Sequence, residues 1–360
     1  MKKILFIYRH SALKKIHNSD GSTTGPTEFL WGMNYFDKDK SEIKYINAPR
    51  EEKRKGIRKI TWFLEFPFSK LVRIGFPIEI YQLYKSEIKW ADEIVCVNDP
   101  ISMGVLFWKL MGKLENKKVH CIIMSVQERV KYFKWCWPAV RFVSKLLSKA
   151  SNIVTLSDFV KDDFAKDYKL DREKLKTMYF GIDTTFWFPL NKVEKENFIL
   201  SVGNDMNRDF QTLIDALPDD MELKLVTKKK VDTRNKKIDI ISGITDEELR
   251  ILYNKARFVV VPSIKLKNES SGLSCCLQAM ACKTPVIISD APPLREMFED
   301  GIDCLFYKAE NTGDLNAKIR LLLSNQDLQH NLAKNGYKKA TEFYTSKKMG
   351  ERLEYIVQGE

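Results

Sequence analysis

The residues with the most chemical promise fall in one run, VVVPSIKLKNESSGLSCCLQAMACKTPVIISDAPPLREMFEDGIDCLFY, from Val259 to Tyr307. A buried strand ends at Pro262 and Ser263, and a loop rich in Asn, Ser and Gly launches an apolar helix at Leu273. The first amides of a helix lack carbonyl partners and sit at the positive end of its dipole. Ser271, Gly272, Leu273 and Ser274 would therefore present N–H groups and small side chains suited to a diphosphate. Gln278, inside this otherwise apolar helix, needs a hydrogen-bond partner. A well-packed helix that happens to carry one amide is the plain alternative. A second run, SVGNDMNRDFQTLIDAL (Ser201–Leu217), ends a buried strand in Gly203 and carries Arg208 on a polar turn before a helix at Asp209. Strand ends of this kind line ligand crevices in open α/β sheets, and a guanidinium there would clamp phosphate with two parallel bonds or simply pair with a nearby acid. A third run passes from KILFIYRH through a polar loop to TTGPTEFLWGMNYF, expected to start a helix. Gly25 before it would let backbone amides approach an anion, although a plain strand-to-helix connection gives the same pattern.

Short apolar segments alternate with amphipathic ones along the chain. Strands are expected at Lys3–Tyr8, Glu93–Val97, Val119–Met124 and Asn152–Leu156. A second series comprises Phe198–Val202, Glu222–Val226, Ile238–Ile241, Phe258–Val261, Pro285–Ser289 and Cys304–Phe306. Helical patterns lie between them at Ile78–Ala91, Asp209–Leu217, Asp246–Ala256 and Leu273–Cys282, with helices from Gln326 to the end. Near-continuous β-branched strands separated by helices predict parallel sheets with right-handed crossovers, an α/β chain. The pattern stops at Tyr179–Leu190 and restarts after NKVEKEN, which places a boundary between two similar domains near residues 185 and 186.

The 360 residues carry a formal net charge of +12, with 44% hydrophobic and 30% charged residues, which excludes wholesale disorder. No uncharged apolar run reaches the ~18 residues of a membrane span. The N-terminus lacks the apolar region and cleavage site of a signal peptide, so a cytoplasmic location is expected. Seven cysteines, an odd number without a CxxC pair, read as reduced thiols, and His10, His17, His120 and His330 show no ligand spacing. No metal and no bound cofactor are expected. The positive charge is concentrated. Between Arg50 and Pro77 there are eight basic residues against three acids, and between Arg129 and Lys149 six basic residues and no acid. Arg54, Lys55, Arg58 and Trp62 in the first segment, and Lys134, Trp135 and Arg141 in the second, combine cations with aromatic rings. Three readings are open: an anionic bilayer surface, a nucleic acid, or a solvated basic face over core aromatics.

Together these runs resemble the two-domain GT-B glycosyltransferases of glycosyltransferase family 4. SNIVTLSDFVKDDF followed by YFGIDTTFWFP resembles that family's last N-domain strand and interdomain segment, and LQAMACKTPVIISDAPPLREMFEDGIDCLFY its donor-site helix and following strand. The resemblance spans about Lys3 to Val357. It implies two Rossmann-like domains with parallel sheets facing a cleft, residues 1–185 for the acceptor and 186–344 for the nucleotide sugar, with 345–360 packing back on the first. It further implies transfer with retention and without a metal. Arg208 and the amides at Gly272, Leu273 and Ser274 would bind the diphosphate, whose negative charge grows as it leaves. Gly25-Pro26-Thr27-Glu28 matches the family's glycine loop (GGxE). Gln278 stands where the family has the second of two glutamates and would hold the ribose. Glu269 or Ser270 would take the first position and orient the sugar. Ser125 stands where an N-domain histidine is usual, which makes His10 a candidate substitute.

A nucleotide-sugar-dependent transferase acting on a lipid-linked or cell-surface saccharide, peripheral to the membrane, is the expected function. A GT-B-like nucleotide-sugar epimerase, a nucleotide-sugar-binding partner subunit and a nucleic-acid-binding protein are the alternatives.

Overall fold

The computed structural model describes residues 1–9, 25–48, 57–234 and 236–359, with side chains left out at 57–62 and 64. The chain divides into two compact units. One comprises Met1–Thr24, Phe29–Tyr179 and Met349–Glu360; the other comprises Gly25–Glu28 and Phe180–Lys348.

The first unit is built on β1 (Lys2–Arg9), β2 (Ser41–Ala48), α1 (Ile57–Val72), α2 (Ile80–Leu83), α3 (Lys85–Trp90) and β3 (Glu93–Val97). It continues with α4 (Asp99–Leu110), β4 (Lys118–Ile122), α5 (Val126–Phe133), α6 (Trp137–Leu147), β5 (Asn152–Thr155), α7 (Lys161–Tyr168) and β6 (Leu175–Thr177). All six strands run parallel in the order β2-β1-β3-β4-β5-β6. β3 is buried at every residue, as the apolar run after Glu93 requires of a strand covered on both faces. The two strands not expected from sequence are the edges: β2 is partly solvated and carries charges, and β6 is three residues long.

Two expected helices are interrupted. The pattern over Ile78–Ala91 breaks at Tyr84 (φ −125°, ψ 35°) into α2 and α3. The stretch Thr27–Phe36 forms 3-10 turns at Glu28–Leu30 and Met33–Tyr35 in place of an α-helix. Trp31 and Gly32 have φ of 54° and 76°, and a Cβ on Gly32 would lie 2.2 Å from the Cα of Gly350. An approach that close leaves no room for a Cβ, and the left-handed backbone at Trp31 and Gly32 departs from any α-helical turn.

The second unit holds β7 (Phe198–Val202), α8 (Phe210–Ala216), β8 (Glu222–Val226), β9 (Ile238–Ile241), α9 (Asp246–Lys255) and β10 (Phe258–Val261). Then come α10 (Leu273–Ala281), β11 (Val286–Ser289), α11 (Pro292–Arg295), β12 (Leu305–Tyr307), α12 (Thr312–Ser324) and α13 (Gln326–Phe343). Its sheet is also wholly parallel, in the order β12-β11-β10-β7-β8-β9. β7, β10 and β11 are buried throughout and β9, at the edge, is half solvated.

The last helix, α14 (Ser346–Gln358), lies from Met349 onward in the first unit. There Asn152 Nδ2 donates to the Ile356 carbonyl (3.1 Å), Arg352 Nε to the Thr177 carbonyl (3.0 Å) and Lys2 Nζ to the Gln358 carbonyl (3.0 Å). No described helix is long and apolar enough to cross a membrane.

Candidate functional site

In the second sheet the strand order reverses between neighbouring β7 and β10: β7 leads to β8 on one side and β10 to β11 on the other. The crevice outside the carboxyl ends of such a strand pair is where open α/β sheets take ligands. The loops leaving these two strands carry Gly203–Arg208 and Pro262–Gly272, the two runs singled out from sequence.

Arg208 is the centre of this crevice. Its side chain is only 2% exposed. Nε donates to the Val202 carbonyl (3.1 Å), Nη1 to Ser271 Oγ (3.2 Å) and Nη2 to Cys275 Sγ (3.5 Å), while Asp205 lies 3.4 Å from Nη2. Two glycines make room for it. A Cβ on Gly203 would meet Arg208 Nε at 2.1 Å, and one on Gly272 would meet Arg208 Nη1 at 2.7 Å and Val261 Cγ1 at 2.3 Å. Gly272 also has φ 87°, a left-handed conformation that other residues adopt at a cost. A buried charge costs several kcal/mol unless it is paired and hydrogen-bonded, so these bonds are what let the cation stay inside.

Gly272 is the N-cap of α10 and has no side chain to cap it. The first-turn amides of Leu273, Ser274 and Cys275 therefore sit beside the guanidinium with the helix dipole behind them. Ser271 Oγ joins both sides, accepting from Arg208 and donating to Asp205 Oδ1 (3.2 Å). Glu269, half-buried, accepts from Asn207 Nδ2 at 3.0 Å, which ties it to the Arg208 turn; Ser270 follows it, and its carbonyl accepts from the Leu273 amide. Lys229 was not expected here. It stands after β8, and its Nζ donates to the carbonyls of Arg208 (2.9 Å) and Asp205 (3.3 Å). Its only sequence signal is its place just beyond a strand end next to β7, in the run TKKK.

Gln278 is placed differently from the ribose ligand that the resemblance implies. It is 6% exposed, its Nε2 donates to Glu28 Oε1 (2.9 Å), and its Oε1 accepts from the Tyr253 hydroxyl (3.2 Å). Trp187 Nε1 donates to the same Glu28 oxygen at 2.9 Å. Both ends of the amide are thus engaged by protein. Gly25–Glu28, expected in the N-terminal domain, packs with the second unit. The Thr27 amide and hydroxyl both reach Asp183 Oδ2, at 3.0 and 2.8 Å.

In the first unit, Ser125 accepts from Arg129 Nε and donates to the buried carboxylate of Asp99 (3.1 Å). Burial raises the Asp99 pKa, against the amides of Ser125, Met124 and Val126. On the outer side of α5 and α6, Lys134 and Arg141 are exposed, as are Trp135 (75%) and Trp137 (67%). A groove of about 680 Å³ there is lined by Lys134, Trp137, Arg141, Lys145 and Lys169, with one acid, Asp167. His10, Arg54 and Lys55 lie outside the described residues, and the side chains of Arg58 and Trp62 are not described. Among the described residues no group of three or more His, Cys, Asp or Glu could hold a metal ion.

Comparison with known proteins bears on the fold and on residues 183–339. Residues 183–339 match the family of glycosyl transferases group 1. The chain is 32% identical over 177 residues to the O-antigen chain mannosyltransferase RfbU of Salmonella typhimurium, covering 45% of this chain and 48% of that one. It is 26% identical over 270 residues to an N,N'-diacetylbacillosaminyl-diphospho-undecaprenol alpha-1,3-N-acetylgalactosaminyltransferase of Campylobacter jejuni, covering 73% of this chain and 60% of that one. The chain thus spans about half to three-fifths of these curated relatives. Anabaena HepE, solved in complex with UDP and glucose, is similar over 100% of both chains with a TM-score of 0.70 and 13% identity, a likeness of fold. The chain therefore has the GT-B glycosyltransferase fold, and its residues 183–339 match the glycosyl transferases group 1 family.

Proposed function

We propose that the protein transfers a sugar from a nucleotide-diphosphate sugar to a hydroxyl of a saccharide acceptor carried on a lipid, with retention of anomeric configuration. The single observation that carries the donor half is the buried Arg208 guanidinium set against the uncapped start of α10 at the strand-order reversal. As the bond from the sugar carbon to the diphosphate breaks, negative charge grows on the leaving oxygen. Arg208 and the Ser274 amide at the start of α10 would meet that charge, fixed donors aimed at the place where it develops. Asp205, 3.4 Å away, gives up the guanidinium to the more highly charged diphosphate. Lys229 stands behind the turn as further positive charge. Glu269 and Ser270 are the residues placed to orient the sugar. The new bond forms to the acceptor oxygen, whose proton is released with the nucleoside diphosphate.

The exposed Trp135 and Trp137 among Lys134, Arg141 and Lys145 support an acceptor presented at an anionic bilayer, where each cation contributes about 1 kcal/mol. Relatives named as acting on O-antigen chains and on a diphospho-undecaprenol favour the same acceptor class. The test is a thermal-shift screen against nucleoside diphosphates and their sugars, since a true ligand raises apparent stability by mass action. Incubation with the stabilising donor, with and without lipid-linked acceptor, follows. A stabilising nucleotide and acceptor-dependent release of nucleoside diphosphate are expected. An isomerised donor formed without acceptor would instead indicate an epimerase, and a pure chain that binds donor but never turns over would indicate a partner subunit.

A further inference from the structure

Gln278 departs from the acid that the family resemblance leads one to expect on α10, and its surroundings supply a reason. Glu28 is fully buried, and one of its oxygens accepts from both Gln278 Nε2 and Trp187 Nε1, each at 2.9 Å. An ionised carboxylate only accepts hydrogen bonds. A glutamate at 278 would therefore turn acceptor against acceptor, and one of the two acids would have to hold a proton. Tyr253, on α9, donates from its hydroxyl to the other end of Gln278 and sets its ring edge-on to that of Trp187 (5.7 Å between centroids). With Thr27 bonded twice to Asp183, the segment Gly25–Glu28 is fastened at two successive residues to the unit that carries α10.

We propose that Gln278 is a positioning residue rather than a ribose ligand: its amide latches the Gly25–Glu28 segment to the donor helix, and the carboxylate of Glu28 is what demands an amide there. The inference rests on the donor-site reading for its effect on the nucleotide, but the latch itself is a property of the ligand-free chain. Bound in advance, the segment costs a donor less ordering when it binds.

The experiment compares Gln278→Glu, Glu28→Gln and the exchanged pair Glu28→Gln/Gln278→Glu in the full chain. Thermal midpoints are read without ligand at about pH 5.5 and about pH 8, either side of where two carboxylates sharing one proton lose it. Other titratable groups near the latch among the described residues are Tyr253, Cys275, Cys282, Arg208 and Asp183, and all of them are present in every variant. The latch predicts that Gln278→Glu falls further below wild type at pH 8 than at pH 5.5, and that the exchanged pair recovers at both. UDP and GDP affinities, with KM and kcat for the donor, follow the same order: a loss of about tenfold or more for Gln278→Glu, with recovery to within about threefold in the pair. If Gln278→Glu does not fold, a folded exchanged pair supports the latch and an unfolded one overturns it. A Gln278→Glu chain with wild-type midpoints at both pH values, or a pair no better than that single variant, also overturns it. Midpoints that recover without recovery of nucleotide affinity overturn the positioning role. A wild-type chain that binds neither UDP nor GDP defeats the donor-site reading, and the midpoints alone then decide the latch.

Discussion

Beyond β7 the second unit keeps one guanidinium at 2% exposure, held by a carbonyl, a hydroxyl, a thiol and Asp205, whereas along α5 and α6 the first unit leaves Lys134 and Arg141 in solvent beside two exposed tryptophans. Both regions are cationic and both would meet phosphate, yet their physics is opposite. Inside, a fixed charge in a poorly solvated site acts strongly over a short distance and needs exact geometry. Outside, each charge is screened and weak, and only several of them, together with aromatic area, make a surface worth occupying. A leaving group must be met at one place, while a bilayer is met anywhere over a wide face.

That contrast is sharpest in single substitutions. Arg208→Ala is expected to weaken nucleoside-diphosphate binding by about 2–3 kcal/mol, the scale of a lost charge-assisted hydrogen bond, read by titration calorimetry. Gly272→Ala would act almost as strongly through displacement of the same guanidinium, because its Cβ would fall 2.7 Å from Nη1. No single change on the outer face is expected to do as much. Lys134→Glu with Arg141→Glu should lower binding to anionic vesicles by about 1 kcal/mol or more per site, most clearly at low salt, and leave nucleotide affinity unaltered. An equal effect of the two kinds of change on nucleotide binding would erase the distinction.

The smallest effect concerns stability within the first unit. Glu93 is buried; desolvation works to raise its pKa, but bonds to His120 (2.9 Å) and Lys2 (3.2 Å) bring it below its ordinary value of 4.5. A carboxyl whose pKa is depressed by folding stabilises the fold above its unfolded pKa, and that stabilisation is lost as the pH falls through the folded one. Unfolding of the wild type should therefore become easier below about pH 4.5, and Glu93→Gln should show a shallower dependence there in urea titrations.

Much of the fold was legible because runs of apolar, β-branched residues announce strands, covered as in β7 or half solvated as in β9. The expected bounds of β3, β7, β8, β9 and β10 coincide with the observed ones. β2 was hidden by its solvated, charged residues at the sheet edge, and β6 by its length. The expected helix after Gly25 failed for a reason no local window contains, the contact of Gly32 with Gly350. The site was half legible in the same way. Arg208 and the loop before α10 were found from their places at strand ends. Lys229 was not, because it reaches the turn through two backbone carbonyls. Gln278 was assigned by analogy to the ribose, and its partner is 250 positions away in the chain.

Threading Arg208 between Gly203 and Gly272 has an evolutionary corollary. A methyl group on either glycine collides with the arginine, and shortening the arginine leaves a hole that the glycines cannot fill. Two neighbouring codons and a third well downstream are thereby tied together: drift at either glycine is penalised while the arginine stays as it is. Divergent descendants that keep the arginine should keep both glycines.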